Sequence, residues 1–214
     1  MALSDIELRV LGALVEKERT TPDAYPLSLQ ALVTACNQRT NRDPVSDHHL
    51  QEVRDALQRL IDRGLAASVQ EPTDRVPKHR HLLSRALGLD ATELALVALL
   101  LLRGAQTAAE LRTRAERYGG VPDLAGVEAA LAALARRDPP LARNVGRGPG
   151  QAQDRWTHAL GADESRLQPR VRGAAATAVS DARTTPAVAG GLAARLVALE
   201  ERVAALEARL AERA

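Results

Sequence analysis

Apolar residues in the first part of the chain recur at helical spacing between polar caps. The first predicted helix begins after Ser4, which can form a capping box with Glu7, and ends before Pro22. A second, short helix is predicted over residues 29–36, with Ser28 as its cap. The apolar stripe of the first helix comprises Leu8, Leu11, Leu14 and Val15.

The next segment predicts a longer helix and then a β-hairpin. A polar loop covers residues 37–44, Ser46 is the predicted cap of the helix, and Gly64 ends it. Residues 65–69 and 78–83 are predicted strands joined by a turn. The apolar stripe of this third helix comprises Leu50, Val53, Leu57, Leu60 and Ile61. Three helices followed by a hairpin are the layout of a winged-helix domain.

The same plan restarts at Asp90, which can form a capping box with Glu93. The further predicted elements are a helix from Thr107 to about Tyr118, a helix from Asp123, and strands over residues 141–145 and 155–160. We therefore predict a mainly α-helical chain with small β-hairpin wings. Two tandem winged-helix domains would occupy residues 1–87 and 88–160, and each would bury its own stripe of leucine and valine. The alternative is two unrelated helical bundles that share common caps.

The last part of the chain predicts a flexible linker and a coiled-coil helix. Residues 161–190 are rich in Ala, Gly and Thr and show no sustained periodicity, as expected of a linker. In residues 191–214 the apolar positions alternate steps of four and three, which is the heptad repeat. The predicted oligomerisation residues are Leu192, Leu196, Leu199, Val203, Leu206 and Leu210.

Charges beside this heptad stripe favour a parallel homo-oligomer. In a parallel pair Arg195 would face Glu200, and Arg202 would face Glu207 of the other chain, whereas an antiparallel pair would place like charges together. The alternative is that the helix folds back on its own chain as an amphipathic cover.

The composition of the chain indicates the cellular compartment in which we expect the protein. Cys36 is the single cysteine and cannot form an intramolecular disulfide, which fits a reducing compartment. The N-terminus lacks the pattern of a signal peptide, and the longest apolar run, residues 94–102, is too short to span a bilayer. We expect a cytoplasmic protein without a membrane partner. The net charge of +2 is too small to indicate nucleic-acid binding by itself.

Several runs of residues resemble a known bacterial family, the YceH family. The resemblance covers about residues 3–160 and implies a tandem winged-helix fold. The family has no established activity, so the resemblance implies no catalytic or binding residues. The runs that carry it include Leu14-Val15-Glu16-Lys17, Tyr25-Pro26-Leu27-Ser28, Val33-Thr34-Ala35-Cys36-Asn37-Gln38, Thr40-Asn41-Arg42 and Leu100-Leu101-Leu102-Arg103-Gly104-Ala105-Gln106-Thr107.

A few charged and polar residues of the first domain are candidates for DNA contact. In a winged helix the third helix usually enters the major groove, and the wing touches the phosphate backbone. The predicted function is therefore a DNA-binding transcriptional regulator acting on double-stranded DNA. The candidates are Arg39 and Arg42 before the third helix, His48, His49 and Gln51 at its start, and Arg75, Lys78 and Arg80 on the wing.

The alternative function is a protein-interaction scaffold. The predicted outward face of the third helix carries more acids than arginines, which disfavours a phosphate backbone. In the second domain the third helix shows mainly Gly126, Ala129, Ala130 and Ala133 outside its stripe, which favours close packing against protein.

Catalytic and metal-binding patterns are weak in this sequence. Cys36 occupies an apolar helix position. Together with His48, His49, His79 and His81 it could be a metal ligand, but these residues lack a recognisable ligand spacing. The glycines of residues 146–150 lack the Lys-Ser/Thr of a phosphate-binding loop. The arginines of the second domain's middle helix, Arg112, Arg114 and Arg117, interleave with acids and suggest a solvated face more than an anion site. We predict a non-enzymatic protein without metal or cofactor.

Overall fold

The structure, a computed structural model, describes residues 2–72, 74–119, 123–148 and 150–161. This part of the chain is mainly helical, with seven α-helices and two small antiparallel sheets. Apart from Gly161, the predicted linker and the predicted coiled-coil helix lie outside the described residues.

The first half forms the predicted three helices and hairpin, together with three short elements that the sequence pattern does not predict. These are a 3-10 turn, the strand β1 and the helix α4, which are three, two and five residues long and therefore too short for a periodic pattern. In chain order the elements are α1 (Asp5–Thr20), a 3-10 turn (Pro22–Ala24), β1 (Leu27–Ser28), α2 (Leu29–Cys36), α3 (Leu50–Asp62), β2 (Ala66–Val69), β3 (Lys78–His81) and α4 (Leu83–Leu87).

The second half repeats the order of helices and hairpin. Its strands pair with each other, and a bulge interrupts the register between Asn144 and Gly146. In chain order the elements are α5 (Ala91–Arg103), α6 (Ala108–Ala115), a 3-10 turn (Glu116–Tyr118), α7 (Leu124–Arg136), β4 (Ala142–Gly146) and β5 (Arg155–His158).

The first sheet places β3 in the middle, in the order β1-β3-β2, with both neighbours antiparallel to it. The register pairs Ala66 with His81 and Ser68 with His79 across β2 and β3. Because successive side chains of a strand point to opposite faces, these four residues share one face of the sheet.

The predicted helix caps are confirmed with one exception. The Glu93 backbone N–H donates to Asp90 Oδ1 at 2.8 Å, and the Ser4 backbone N–H donates to Glu7 Oε2 at 2.7 Å. The exception is Ser46, whose prediction as a cap is wrong. Helix α3 begins later, with His49 at its N-cap, while the Ser46 hydroxyl is directed to the carbonyl of Cys36 at 3.5 Å.

Buried apolar side chains of both halves form one continuous cluster rather than two separate cores. The contact between α1 and α5 joins the halves, and a Cβ added to Gly12 would lie 2.8 Å from Leu102 Cγ. All described residues fall within one compact unit. The expectation that each half has its own core is therefore wrong, while the domain boundary after residue 87 stays a prediction.

No helix in the described part of the chain is long and apolar enough to cross a membrane.

Candidate nucleic-acid interface

The start of α3 presents polar side chains at the surface, as the sequence predicts. Val53, Ala56 and Leu60 bury the inner side of the helix, and this leaves His49 and Gln51 exposed at its first turn. The amide of Gln51 donates to Asp55 Oδ1 at 2.7 Å, a contact that water and a base edge can both replace.

Two further arginines, one within α3 and one directly after it, contact α1. Arg59 Nε is 3.0 Å from Glu7 Oε1 on α1, and Arg63 contacts the same carboxylate at 4.0 Å. Burial opposes ionisation of Glu7, but hydrogen bonds from Ser4 and Arg59 outweigh it, so its pKa is lowered. These two arginines therefore help to hold α3 against α1.

The predicted cations of the hairpin lie on a different face from the histidines. His79 borders a groove beside α3, and His81 is buried. Strand alternation therefore places Lys78 and Arg80 on the opposite face of the sheet, with Arg80 exposed. Lys78 forms an ion pair with Asp74 at 2.7 Å, and Arg75 is exposed in the connection between the strands.

The two arginines of the loop before α3 have opposite surroundings. Arg39 is exposed, whereas Arg42 is buried and its Nη2 lies 2.6 Å from Glu16 Oε2. Arg42 also donates to the carbonyl of Ala35 at the end of α2, where a cation is favourable. Arg42 is therefore not presented at the surface in this structure, and its contact with DNA stays an untested prediction that this burial disfavours.

His48 is held in place by its backbone rather than presented as a free side chain. The side chain of Asn37 accepts from the N–H of His48 and donates to its carbonyl, both at 2.8 Å. Burial and the nearby Arg9 lower the pKa of His48, so the imidazole is neutral at pH 7.

An apolar groove lies between α3 and the hairpin, and we call it the α3 groove. Its volume is about 480 Å³. Leu50 is 39 % exposed and Val76 is 52 % exposed, which is unusual for large apolar side chains. Its apolar wall comprises Leu29, Leu50, Leu57, Ile61, Val76 and Pro77.

The second half offers a less polar counterpart of this surface. Leu124, at the start of α7, is 40 % exposed, and the neighbouring exposed positions include Ala125 and Ala129. On the second hairpin Arg147 pairs with Asp154 at 2.9 Å. Helix α7 therefore has few groups that could contact a base edge.

Several residues considered for other chemistry have structural partners. Burial raises the pKa of the Cys36 thiol to about 12, and His81 Nε2 lies 2.8 Å from Glu18 Oε2. In the described ranges no group of three or more His, Cys, Asp or Glu is arranged to hold a metal ion. The second-half arginines form separate pairs, Arg112 with Glu116, Arg114 with Glu110 and Arg117 with Glu16.

A cleft that the sequence pattern does not predict lies between the two halves, and we call it the inter-half cleft. Its volume is about 310 Å³. It is bordered by α1, by the loop before α3, by the end of α5 and by the second hairpin. Arg9 is the signal that could have indicated it, because a charge interrupts the buried run of α1 between Leu8 and Val10.

Comparison with known proteins places this chain among bacterial relatives. A family model described as "Protein of unknown function, DUF480" matches residues 3–151. A UPF0502 protein of Geobacter sulfurreducens is 45% identical over 98% of this chain and 89% of its own length. UPF0502 proteins of Paraburkholderia phymatum and Geotalea uraniireducens are 44% and 52% identical, over 97% and 74% of this chain and 86% and 72% of their own lengths. None of these names is that of an enzyme. The chain belongs to this DUF480 family of UPF0502 proteins, the bacterial family also called YceH.

Proposed function

We propose that the protein is a non-enzymatic, tandem winged-helix protein that binds double-stranded DNA mainly through its first half. The order of three helices and a hairpin, present in both halves, supports winged-helix domains at residues 1–87 and 88–160. In the first half the strand β1 adds a third strand to the hairpin.

The observation that carries DNA binding is the pairing of an exposed α3 start with an exposed cation on the hairpin. His49 and Gln51 provide hydrogen-bonding groups for base edges, and Arg75 provides a charge for the backbone. Arg39 adds a second exposed cation before α3. With few free cations, we expect affinity that is weak and strongly dependent on salt.

Fluorescence anisotropy with a random-sequence duplex tests this proposal. At about 50 mM salt we expect the wild-type chain to bind and the triple charge reversal Arg75→Glu, Lys78→Glu, Arg80→Glu to lose binding. The matched control reverses three exposed arginines of the second half, Arg112, Arg136 and Arg147, and should retain binding. Absence of wild-type binding, or an equal loss in the control, would reject the proposal.

The α3 groove favours a second candidate, a protein-interaction scaffold without DNA binding. An apolar surface beside the third helix suits a protein partner better than a phosphate backbone. Pull-down from native lysate with and without nuclease separates the two functions. The scaffold predicts partners that survive nuclease and are lost on Leu50→Glu, whereas the DNA-binding function predicts recovery of nucleic acid that nuclease removes.

We also propose that the tail makes the protein a homo-oligomer through a parallel coiled coil. The unbroken heptad stripe from Leu192 to Leu210 supports this. Sedimentation should show the full chain as an oligomer and a chain ending at Arg183 as a monomer at micromolar concentration. Identical monomeric behaviour of both chains would remove the tail as an oligomerisation device.

The cytoplasm is the proposed location, and we propose that no cofactor takes part. A single cysteine with a buried thiol is consistent with a protein of a reducing compartment. Purification of the native protein followed by metal and absorbance analysis would reveal a cofactor if one were bound.

A further inference from the structure

The inter-half cleft combines an apolar wall with a polar wall, as small-molecule sites do. Leu8 of α1 and Leu101 of α5 contribute apolar side chains. The polar wall is formed by Arg9, by polar residues of the loop before α3, and by Arg155 and His158 of the second hairpin.

Arg9 is a buried cation on this wall that lacks a direct ion pair within the described part of the chain. Its residue is only 6 % exposed, and its Nη atoms donate to the carbonyls of Cys36 at 3.5 Å and Pro44 at 2.5 Å. Among the described residues no carboxylate oxygen forms an ion pair with it within 4.0 Å. Burial and the neighbouring Arg42 lower the pKa of Arg9, and the attraction of Asp43 and Glu16 offsets only part of this effect. An anion bound beside Arg9 would reduce the cost of burying its charge.

Two hydrogen-bonding atoms on the second hairpin are also buried without a partner. They are Nδ1 of His158 and Nε of Arg155. The other side of the Arg155 guanidinium is occupied, because its Nη1 donates to the Ala105 carbonyl at 2.6 Å and lies 3.2 Å from Glu110 Oε2. Unpartnered buried polar groups beside a cavity indicate that a polar ligand group or water belongs there.

The charges around the cleft match a single negative charge. Among the residues that the structure describes, four arginines and three carboxylates border it, which leaves one positive charge. A monoanion would therefore neutralise the cleft, whereas a dianion such as inorganic phosphate would leave a net negative charge there and would lose more hydration on entering. The guanidinium fork also matches the planar geometry of a carboxylate. The residues that make up this balance are Arg9, Arg103, Arg114, Arg155, Asp5, Asp43 and Glu110.

We propose that the inter-half cleft binds a small organic carboxylate, with its charged group beside Arg9 and its apolar body against Leu8 and Leu101. Such a ligand contacts the loop residues Pro44 and Ser46, and this loop leads into α3. It also contacts the second hairpin, so its binding links the two halves. The site does not depend on whether the protein binds DNA.

Benzoate is a suitable probe, because it joins a carboxylate to an apolar ring. Benzamide, which has the same shape without the charge, is the matched ligand control. In two-dimensional NMR of the full chain at constant ionic strength, we expect benzoate to shift the amide signals of cleft residues such as Ser46 and Gln106. Benzamide should leave these signals in place. Signals on α7, for example that of Glu128, should not move with either compound.

Arg9→Gln is the test variant, and Arg136→Gln, at an exposed position away from the cleft, is its control. Losing charged hydrogen bonds should weaken benzoate affinity about tenfold or more in the first variant and leave it unchanged in the second. If Arg9→Gln does not fold, the comparison of benzoate with benzamide on the wild-type chain decides alone. No shifts in the cleft, equal effects of the two compounds, or unchanged affinity in a folded Arg9→Gln variant would overturn the proposal.

Discussion

Replacing Glu16 by glutamine removes the carboxylate that neutralises a buried arginine between the two halves. Glu16 Oε2 accepts from Arg42 Nη2 at 2.6 Å, and both side chains are almost fully shielded from water. Arg117, from the 3-10 turn after α6, contacts the other oxygen at 3.5 Å. Glutamine keeps the shape of the side chain, so the change isolates the charge from the packing.

The expected cost follows from the burial of this pair. Removing one partner of a buried ion pair leaves an uncompensated charge and typically costs about 3–5 kcal/mol. Arg42 retains its hydrogen bonds to the carbonyls of Ala35 and Asn41, which share part of its charge. We therefore expect the lower end, about 3 kcal/mol, which is a large part of a typical stability of about 5–15 kcal/mol.

Urea unfolding, monitored by circular dichroism, measures this change. The variant should unfold at a lower midpoint urea concentration, while the slope of the unfolding free energy against urea concentration stays unchanged. The control is Asp154→Asn, which removes the exposed pair with Arg147 and should cost less than about 1 kcal/mol. If Glu16→Gln costs no more than Asp154→Asn, the buried pair does not stabilise the fold in the way described.

Three further predictions concern packing, pH and thiol reactivity. Gly12→Ala should lower the unfolding free energy by about 1–3 kcal/mol in the same urea assay, because its Cβ would lie 2.8 Å from Leu102 Cγ; no loss would contradict the tight contact. Burial lowers the pKa of His158 from 6.5 to about 4, so the unfolded chain takes up the proton first. Stability should therefore fall by up to about 3 kcal/mol as pH decreases from 6.5 to 4, and His158→Gln should lose less over that range. Cys36 should react with a thiol reagent only on unfolding, because its thiol is buried and its pKa is raised to about 12; rapid reaction of the native protein would contradict this.

Caps and apolar stripes predicted most of the helices, because both are local signals. Ser28 and Asp90 cap helices where the sequence places them, and α2 has the predicted bounds. The predicted start of α3 is too early, because the segment after Ser46 is held in another conformation. The side chain of Asn37 forms hydrogen bonds with the backbone of His48, eleven residues further along the chain. Such a long-range hydrogen bond leaves no periodic trace in the sequence.

The candidate site was harder to predict, because it depends on which charges meet in space. Arg42 lies in a polar loop and resembles a surface cation until Glu16 of α1 is seen beside it. The shared core likewise depends on Gly12 facing α5. A single glycine in a helix does not indicate which element packs against it. The exposed Leu50 belongs to the apolar stripe of its helix, so the sequence assigned it to the core.

The salt dependence of duplex binding tests the proposed DNA contact most directly. For the wild-type chain, the logarithm of the binding constant should fall linearly with the logarithm of salt concentration. Arg75→Gln should reduce that slope by about one, because one phosphate contact is lost, while Arg136→Gln should leave it unchanged. A wild-type chain that shows no binding at about 50 mM salt, or a slope that Arg75→Gln does not change, would contradict the account.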